Sequence, residues 1–330
     1  MPRDLTPSTI ENTFVLKALT ERIRLDSRSF NQLRDLDISF SSTDFGVVDV
    51  KLGRTRVIAR ISAEISQPYA DRPYDGLFII STEISPMAAP TFEAGRKSED
   101  ELVISRIIEK SIRRSGALDT EALCIISGEK CWAVRADVHF LDHDGGLMDA
   151  ACIAVSAGLL HFRRPDITIV GVGSRREVIV HPITERVPVP LAVLHVPICV
   201  TFSFFDVRKA SAAIAGLPGK DNMKEADDDD VEEENDSSTT VLVDATLQEE
   251  LLRHGYMSVT ANTNREICQI QKGGDMPVEV GKLLSCAEAA IMVAEKVTKL
   301  INKRLKEDEA RRNVGNLLVE ARAENDRYIV

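Results

Sequence analysis

The chain has 330 residues, of which 44% are hydrophobic and 28% are charged, a composition typical of globular proteins rather than fibrous or disordered ones. Its formal net charge of -11 argues against indiscriminate nucleic-acid binding, so any such contact would need a local basic patch. No apolar run approaches the ~20 residues that cross a bilayer, so no membrane contact is expected. The six cysteines lack C-x-x-C spacing, which favours reduced, intracellular thiols over a disulfide framework.

The N-terminal part of the chain predicts one helix followed by short strands. Ser8 or Thr9 can cap a helix over residues 8–20, in which Glu11 enriches the first turn. Runs of β-branched residues then indicate strands, and the turn at residues 52–54 joins the first two strands as a hairpin. These strands are predicted at residues 47–51, 55–59 and 77–80.

The middle of the chain predicts two helices separated by two strands. Apolar residues recur at helical spacing over residues 99–115, and Gly116 can end this helix in the left-handed conformation. Residues 147–162 form a second helix, rich in alanine and other small residues. Because such a helix can approach its neighbours closely on more than one side, we expect it to be buried. The strands between the helices are predicted at residues 122–126 and 131–141.

Strands return beyond Pro165, and a long helical region follows them. Residues 208–240 include an acidic run with few apolar residues, which predicts a disordered insertion because like charges repel. From Val280 to about Ala323 the pattern is helical, first apolar and then strongly charged, so we expect a partly solvent-facing helix. Strand groups alternating with helices indicate an α+β or α/β core with mixed sheets. The strands are predicted at residues 167–170, 177–180, 199–205, 240–243, 257–261 and 266–271.

One row of basic residues has the spacing of a helix face. Lys110 lies four residues after Arg106, and Arg113 and Arg114 lie three and four residues after Lys110. Residues three or four apart are neighbours on a helix surface, so all four lie on one side of the helix at 99–115. Such rows bind phosphates of nucleic acids. An ordinary solvated face, with Glu109 diluting the positive charge, explains the spacing equally well, so spacing alone leaves both interpretations open.

The run from His139 to Asp144 concentrates possible metal ligands, because a strand would place His139 and His143 on one face. A calcium loop that began in this run would need a glycine where Leu147 stands and a bidentate acid where Ile153 stands. We therefore interpret the run as a turn followed by a helix start, and we expect no metal.

Six stretches of the sequence together resemble the RNase PH-type subunits of the exosome ring, and the resemblance covers about residues 5 to 305. Among such subunits, the sequence resembles the fungal ones. The stretches are GRKSEDE at 95–101, SGALDTEALC at 115–124, GEKCWAVRADV at 128–138, HFRRPD at 161–166, VLVDATLQEE at 241–250 and NTNREIC at 262–268.

The resemblance implies an α+β, RNase PH-like fold of the ribosomal protein S5 domain 2 type, with mixed sheets packed against helices. The expected units are an N-terminal helix and lead-in at 1–30, two RNase PH-like halves at 31–166 and 167–279, and a C-terminal helical region at 280–330. It also implies a six-membered ring around an RNA channel. The implied partners are the ring subunit called ribosomal RNA-processing protein 41, the S1/KH cap subunits, an associated hydrolytic nuclease and single-stranded RNA. No cofactor is implied, and the implied compartments are nucleus, nucleolus and cytoplasm.

Comparison with phosphorolytic members of this family implies that the phosphate site has degenerated. Those members carry Ser or Thr and Arg after a double glycine, where this chain has Leu147 and Met148. They also carry adjacent arginines entering the preceding helix, where this chain has Glu99 and Asp100, and acids would repel both phosphate and an RNA backbone.

The positions of the two catalytic acids also depart from the pattern of active members. Active members place two aspartates six residues apart; Asp244 matches the first, but Glu250 replaces the second. The resemblance therefore implies a catalytically silent subunit, and the alternative is an active phosphorolytic 3'-5' exoribonuclease that uses Asp244 and Glu250. In the archaeal ring the inactive subunit type supplies cations from the basic helix to RNA, which implies RNA-binding roles for Arg106, Lys110 and Arg113.

Overall fold

Two β-sheets enclose a central helix in the computed structural model, which describes residues 8–93, 95–171, 176–182, 185–206 and 239–312. The predicted α+β class with mixed sheets is confirmed: one sheet contains a parallel pair and the other is antiparallel throughout. Within these described ranges, no helix is both long and apolar enough to cross a membrane.

Six strands form the first sheet, in the order β1–β2–β3–β6–β4 with β5 paired to β6. The pair β4–β6 is parallel and the others are antiparallel. Val57, Ala59 and Ile61 of β3 point to the core, whereas Arg56 and Arg60 alternate with them on the open face. The strands are β1 (Leu36–Phe40), β2 (Val47–Leu52), β3 (Thr55–Ser66), β4 (Leu77–Ile84), β5 (Cys124–Ile126) and β6 (Lys130–Asp142).

The predicted hairpin at residues 52–54 is confirmed. Leu52 and Thr55 are paired across β2 and β3, so Gly53 and Arg54 form a two-residue turn. Gly53 has a φ of 60°, a left-handed conformation that glycine adopts without steric cost and that the twist of a hairpin favours.

Four antiparallel strands form the second sheet, in the order β12–β11–β13–β14. Two small ribbons, β7–β10 and β8–β9, connect the sheets along the chain. The strands are β7 (Arg163–Arg164), β8 (Ile167–Val170), β9 (Glu177–Val180), β10 (Val189–Pro190), β11 (Ile198–Asp206), β12 (Thr239–Val243), β13 (Gly255–Ala261) and β14 (Ile267–Gly274).

A central helix, α3, lies between the sheets and contacts β2 and β3 on one side and β11 on the other. All its residues are buried except Met148 and Leu160, which confirms the burial predicted from its small side chains. The helices are α1 (Thr9–Thr20), α2 (Glu99–Glu109), α3 (Leu147–His161), α4 (Leu247–Leu252) and α5 (Val280–Arg312).

Two predicted elements differ in detail from the structure, and one helix was not predicted. The helix at 99–115 is α-helical only to Glu109 and continues as a π-helical turn, Lys110–Arg114, before Gly116 ends it with a φ of 71°. The strand predicted from residue 122 begins at Cys124, because the carboxylate of Asp119 accepts the amides of Glu121 and Ala122 and holds a 3-10 turn there. Helix α4 was not predicted at all.

Parts of other predictions fall outside the described residues. Of the acidic insertion, residues 208–238 lie outside them, whereas Thr239 and Thr240 already belong to β12. Residues 1–7 and 313–330 of the terminal regions also lie outside. In α5 the charged stretch is partly exposed, as predicted, but Asp308 is buried.

Candidate functional site

A cavity of about 170 Å³ lies at the start of α3 and brings together several residues predicted from the sequence. Four of them line the cavity: Asp100, Leu147, Met148 and Glu250. Glu99 lines a separate depression, and Asp244 lines neither, because its carboxylate is bound by the backbone amide of Arg34. The remaining lining residues are Ile104, His143, Gly146, Thr201, Leu247, Leu251 and Arg253.

The chain turns sharply before α3, and two glycines allow this turn. Gly145 and Gly146 have φ values of 79° and 67°. A Cβ on Gly146 would come within 2.5 Å of the Arg34 guanidinium, and one on Gly145 within 2.6 Å of the carbonyl oxygen of Ala245. Both positions therefore need glycine for conformation and for space.

Three consecutive amides in this turn are satisfied by the protein's own side chains. The amide of Asp144 donates to Oγ1 of Thr55 at 3.1 Å, and that of Gly145 to Nδ1 of His143 at 3.3 Å. The amide of Gly146 donates to Oε1 of Glu250 at 3.1 Å. A helix start is where an anion is commonly bound, and here a carboxylate of the chain itself sits there.

Glu250 reaches this position from the middle of the six-residue helix α4. Its carboxylate also forms an ion pair with Arg253, with 3.4 Å between Oε1 and NH1. Burial raises the pKa of Glu250 above its usual range, although Arg253 and the Gly146 amide oppose the shift. Leu147 is buried and Met148 half-buried beside it, so neither offers a hydroxyl or guanidinium group to a phosphate.

Asp244, which matches the first catalytic aspartate of active family members, is 1% exposed, and its carboxylate is bound by arginines. Its carboxylate accepts the backbone amide of Arg34 at 2.7 Å and the Arg34 guanidinium NH2 at 2.7 Å. NH1 of Arg28 donates to the same carboxylate at 3.1 Å. Asp244 has a φ of 50°, in the left-handed region that Asp enters more readily than most other residues. These contacts make Asp244 the anion of a buried ion network.

The network extends to α4 through a second buried pair. The guanidinium of Arg24 binds both carboxylate oxygens of Glu249, at 3.1 and 2.7 Å, and also donates to the carbonyl oxygen of Asp244 at 3.0 Å. Such bidentate contacts fix the relative orientation of the two groups and also pair their charges. Arg24, Arg28 and Arg34 were not predicted, because they lie more than 200 residues from their acids. A usable signal did exist for α4, since Thr246 and Glu249 form a capping box.

The acids at the start of α2 are both exposed. Ser98 caps this helix by accepting the amide of Glu101 at 3.2 Å, and Glu99 and Asp100 stand in the first turn, where negative charge complements the helix dipole. Asp100 adds negative charge to the cavity. Burial lowers the pKa of His143, although Asp100 opposes this shift.

The predicted basic residues occupy the outer side of α2 and its π turn. Arg106, Lys110, Arg113 and Arg114 are exposed. Glu109 forms ion pairs with two of them, at 3.0 Å to NH1 of Arg106 and 3.3 Å to NH1 of Arg113. These shared contacts place Arg106 and Arg113 on one side of the helix and neutralise part of their charge.

The possible metal ligands from His139 to Asp144 do not converge. Strand β6 ends at Asp142; His139 lies 3.3 Å from Glu83 on the open face of the sheet, whereas His143 lines the cavity. Among the residues that the structure describes, no group of three or more His, Cys, Asp or Glu could hold a metal ion.

Comparisons with known proteins show which family the chain resembles. Residues 32–165 match the 3' exoribonuclease family, domain 1, and residues 195–292 match its domain 2. Exosome complex component RRP45 of Saccharomyces cerevisiae is 52% identical over 314 residues, covering 95% of each chain. Exosome complex component rrp45 of Schizosaccharomyces pombe is 50% identical over 308 residues, covering 93% of this chain and 94% of the relative. A chain of the Archaeoglobus fulgidus exosome with RNA bound to the active site is 25% identical, with a TM-score of 0.67, and the alignment covers 88% of this chain and 97% of that one.

Proposed function

Because the chain belongs to the RNase PH family of 3' exoribonuclease domains, we propose that it is a non-catalytic subunit of the ring of a eukaryotic RNA exosome. The expected RNase PH-like fold is confirmed, since the family matches cover both halves of the chain. The relatives that are half identical to it are named exosome components, which supports the assembly.

The finer partners of this assembly form part of the same proposal. The neighbour in the ring is the subunit called ribosomal RNA-processing protein 41, the caps are the S1/KH subunits, and a separate hydrolytic nuclease degrades the RNA. The complex acts in 3'-to-5' RNA processing, including maturation of ribosomal RNA, in nucleus, nucleolus and cytoplasm. A native mass measurement of the purified assembly tests the partners, because each chain has its own mass.

One observation carries the non-catalytic part: the Glu250 carboxylate accepts the amide at the start of α3. A phosphate anion would meet this carboxylate, the Asp100 carboxylate and the apolar side chain of Leu147 in the same cavity. Like charges in a partly buried site repel strongly because water screens them poorly. Without bound phosphate, phosphorolysis has no nucleophile.

A phosphate-dependent assay tests this conclusion. The chain alone, and the chain with its ring partner carrying an inactivated site, should shorten single-stranded RNA no faster with phosphate than without it. Release of nucleoside diphosphates by this subunit would instead establish the alternative, a phosphorolytic 3'-5' exoribonuclease using Asp244 and Glu250. The contacts of Asp244 with Arg34 and Arg28 speak against that alternative, because both its oxygens are already bound.

The second part of the proposal is that the basic side of α2 guides RNA. Arg106, with 75% of its side chain exposed, and the exposed Lys110 and Arg113 supply the cations. Phosphate contacts of this kind hold a strand without reading its sequence, which suits a channel that passes many RNAs.

Salt dependence in the assembled complex measures this role. Each lost contact with single-stranded RNA should reduce the slope of log K against log salt by about 0.7, so Arg106→Ala with Lys110→Ala should reduce it by about 1.4. Lys51→Ala with Arg60→Ala is a matched control, because it removes one Lys and one Arg from the open face of the first sheet. If both double variants change the slope equally, α2 has no specific role.

A further inference from the structure

The last turns of α5 are held mainly by polar contacts. The buried apolar residues of this 33-residue helix end at Ile301, and beyond it only Asp308 is buried. Leu305 is half-buried. Arg304 contacts Asp37 at 3.1 Å and Asp308 contacts His161 at 3.1 Å. Docking of residues 302–312 therefore depends mainly on charge and hydrogen bonding.

His161, the last residue of α3, stands at the centre of this contact. Its Nδ1 accepts the backbone amide of Gly46 at 3.0 Å, so in the neutral ring the proton must be on Nε2. Nε2 then donates to Oδ2 of Asp308 at 3.1 Å. The ring is 5% exposed and packs beside Phe40 and Phe45. One tautomer of neutral His161 thus satisfies both neighbours.

Asp308 has a second cationic partner at the end of the helix. Nε of Arg312 lies 2.6 Å from Oδ2 of Asp308. The same guanidinium stacks on Phe45, 4.5 Å from the ring centroid, and donates to the carbonyl oxygen of Ser41. The helix end is therefore fastened to the loop between β1 and β2, and the negative charge of Asp308 is already matched.

A proton on His161 would disturb its contact with the loop between β1 and β2, whereas Nε2 would still donate to Asp308. Nδ1 would become a donor facing the Gly46 amide, so one hydrogen bond would become a clash of two donors. The loop that also holds Arg312 through Ser41 and Phe45 would then have to move. The charged groups that face the ring are Asp308, Arg312 and Arg163; the two arginines repel a protonated ring, whereas Asp308 attracts it. Burial, together with Arg312 and Arg163, lowers the pKa of His161, although Asp308 opposes the shift.

We propose that His161 is a proton-sensitive latch, which holds residues 302–312 on the loop between β1 and β2 and releases them when its ring is protonated. The direction of the pH effect follows from the coupling between docking and proton uptake by His161. The released state takes up a proton near pH 6.5, the usual value for histidine, and the docked state only at lower pH. Docking is therefore complete above about pH 6.5 and weakens as the pH falls below it, by about tenfold per pH unit at most for a single proton.

Hydrogen exchange of the full-length chain tests the latch. Protection of the amides in 302–312, corrected for the intrinsic effect of pH, should stay constant above about pH 6.5 and fall as the pH is lowered to about 5. The midpoint should coincide with the titration of His161 observed by NMR in the unsubstituted chain. His161→Gln and His161→Asn keep a polar side chain that does not titrate in this range, so both should abolish the pH dependence, whatever their absolute protection.

His139→Gln is the matched control, because it removes a histidine from the open face of the first sheet, away from α5. Its pH dependence should equal that of the unsubstituted chain. The latch is wrong if protection of 302–312 does not change with pH, if its midpoint differs from that of His161, or if the dependence persists in either folded variant of His161.

Discussion

Replacing Asp244 by Asn would distinguish a structural anion from a catalytic acid. Asp244 is 1% exposed and Arg34 is 8% exposed, with 2.7 Å between Oδ1 of the acid and NH2 of the arginine. Asn keeps one acceptor oxygen but removes the charge, so Arg34 and Arg28 would stay in place with uncompensated positive charge. Removing one partner of a buried ion pair costs about 3–5 kcal/mol.

This loss is large enough to measure by thermal unfolding. At about 2–4 °C per kcal/mol for a chain of this size class, the melting temperature should fall by roughly 6–20 °C. Asp49→Asn is the matched control, because Asp49 pairs with the exposed Arg56 at 2.7 Å. Exposed pairs contribute little, since water and salt screen them, so the control should melt almost like the unsubstituted chain.

A double-mutant cycle makes the test specific to the pair. Arg34→Met should destabilise the chain on its own, but less in the Asp244→Asn background, with a coupling on the order of 0.5–3 kcal/mol. If Asp244→Asn melts like Asp49→Asn, or if the two effects simply add, the buried network does not support the fold as reasoned above.

Three further predictions concern neighbouring residues. Burial raises the pKa of Asp149 to about 7 from 3.8, so the folded state holds one more proton than the unfolded state between these pH values. The free energy of unfolding should therefore fall as the pH rises from about 4 to about 7. Asp149→Asn should flatten this pH dependence, which urea titrations measure. Gly146→Ala should destabilise the chain by more than Gly116→Ala, because both glycines have positive φ but only the first Cβ would meet other atoms, and melting temperatures of the two variants decide this. Glu109→Gln should raise RNA affinity and steepen its salt dependence, because it frees Arg106 and Arg113 from their shared carboxylate; an unchanged affinity would contradict this.

Local patterns were sufficient for much of the fold. The β2–β3 hairpin followed from β-branched runs around Gly53, and the burial of α3 followed from its small residues. Both signals are short-range: a left-handed glycine fixes a turn, and a helix without a polar face must be covered on all sides.

Local sequence patterns could not predict the contacts that define the site. Asp244 was expected only to match a catalytic position of active family members, and its contacts come from Arg28 and Arg34, 216 and 210 residues away. The π turn after Glu109 changes helix geometry without any breaker in the sequence. Long-range pairing and small changes in helical pitch depend on tertiary packing, which spacing within one segment does not encode.

Asp244 and Glu250, which we propose are degenerate catalytic positions, share a structural role in this chain. Glutamate is one methylene longer than aspartate, and Glu250 uses that length to reach the amide at the start of α3 while it stays paired with Arg253. Asp244 and Glu249 bind arginines from the segment that precedes β1. This edge of the fold thus joins that segment, α3 and α4. Substitutions here should therefore change stability and ring assembly rather than any turnover of RNA.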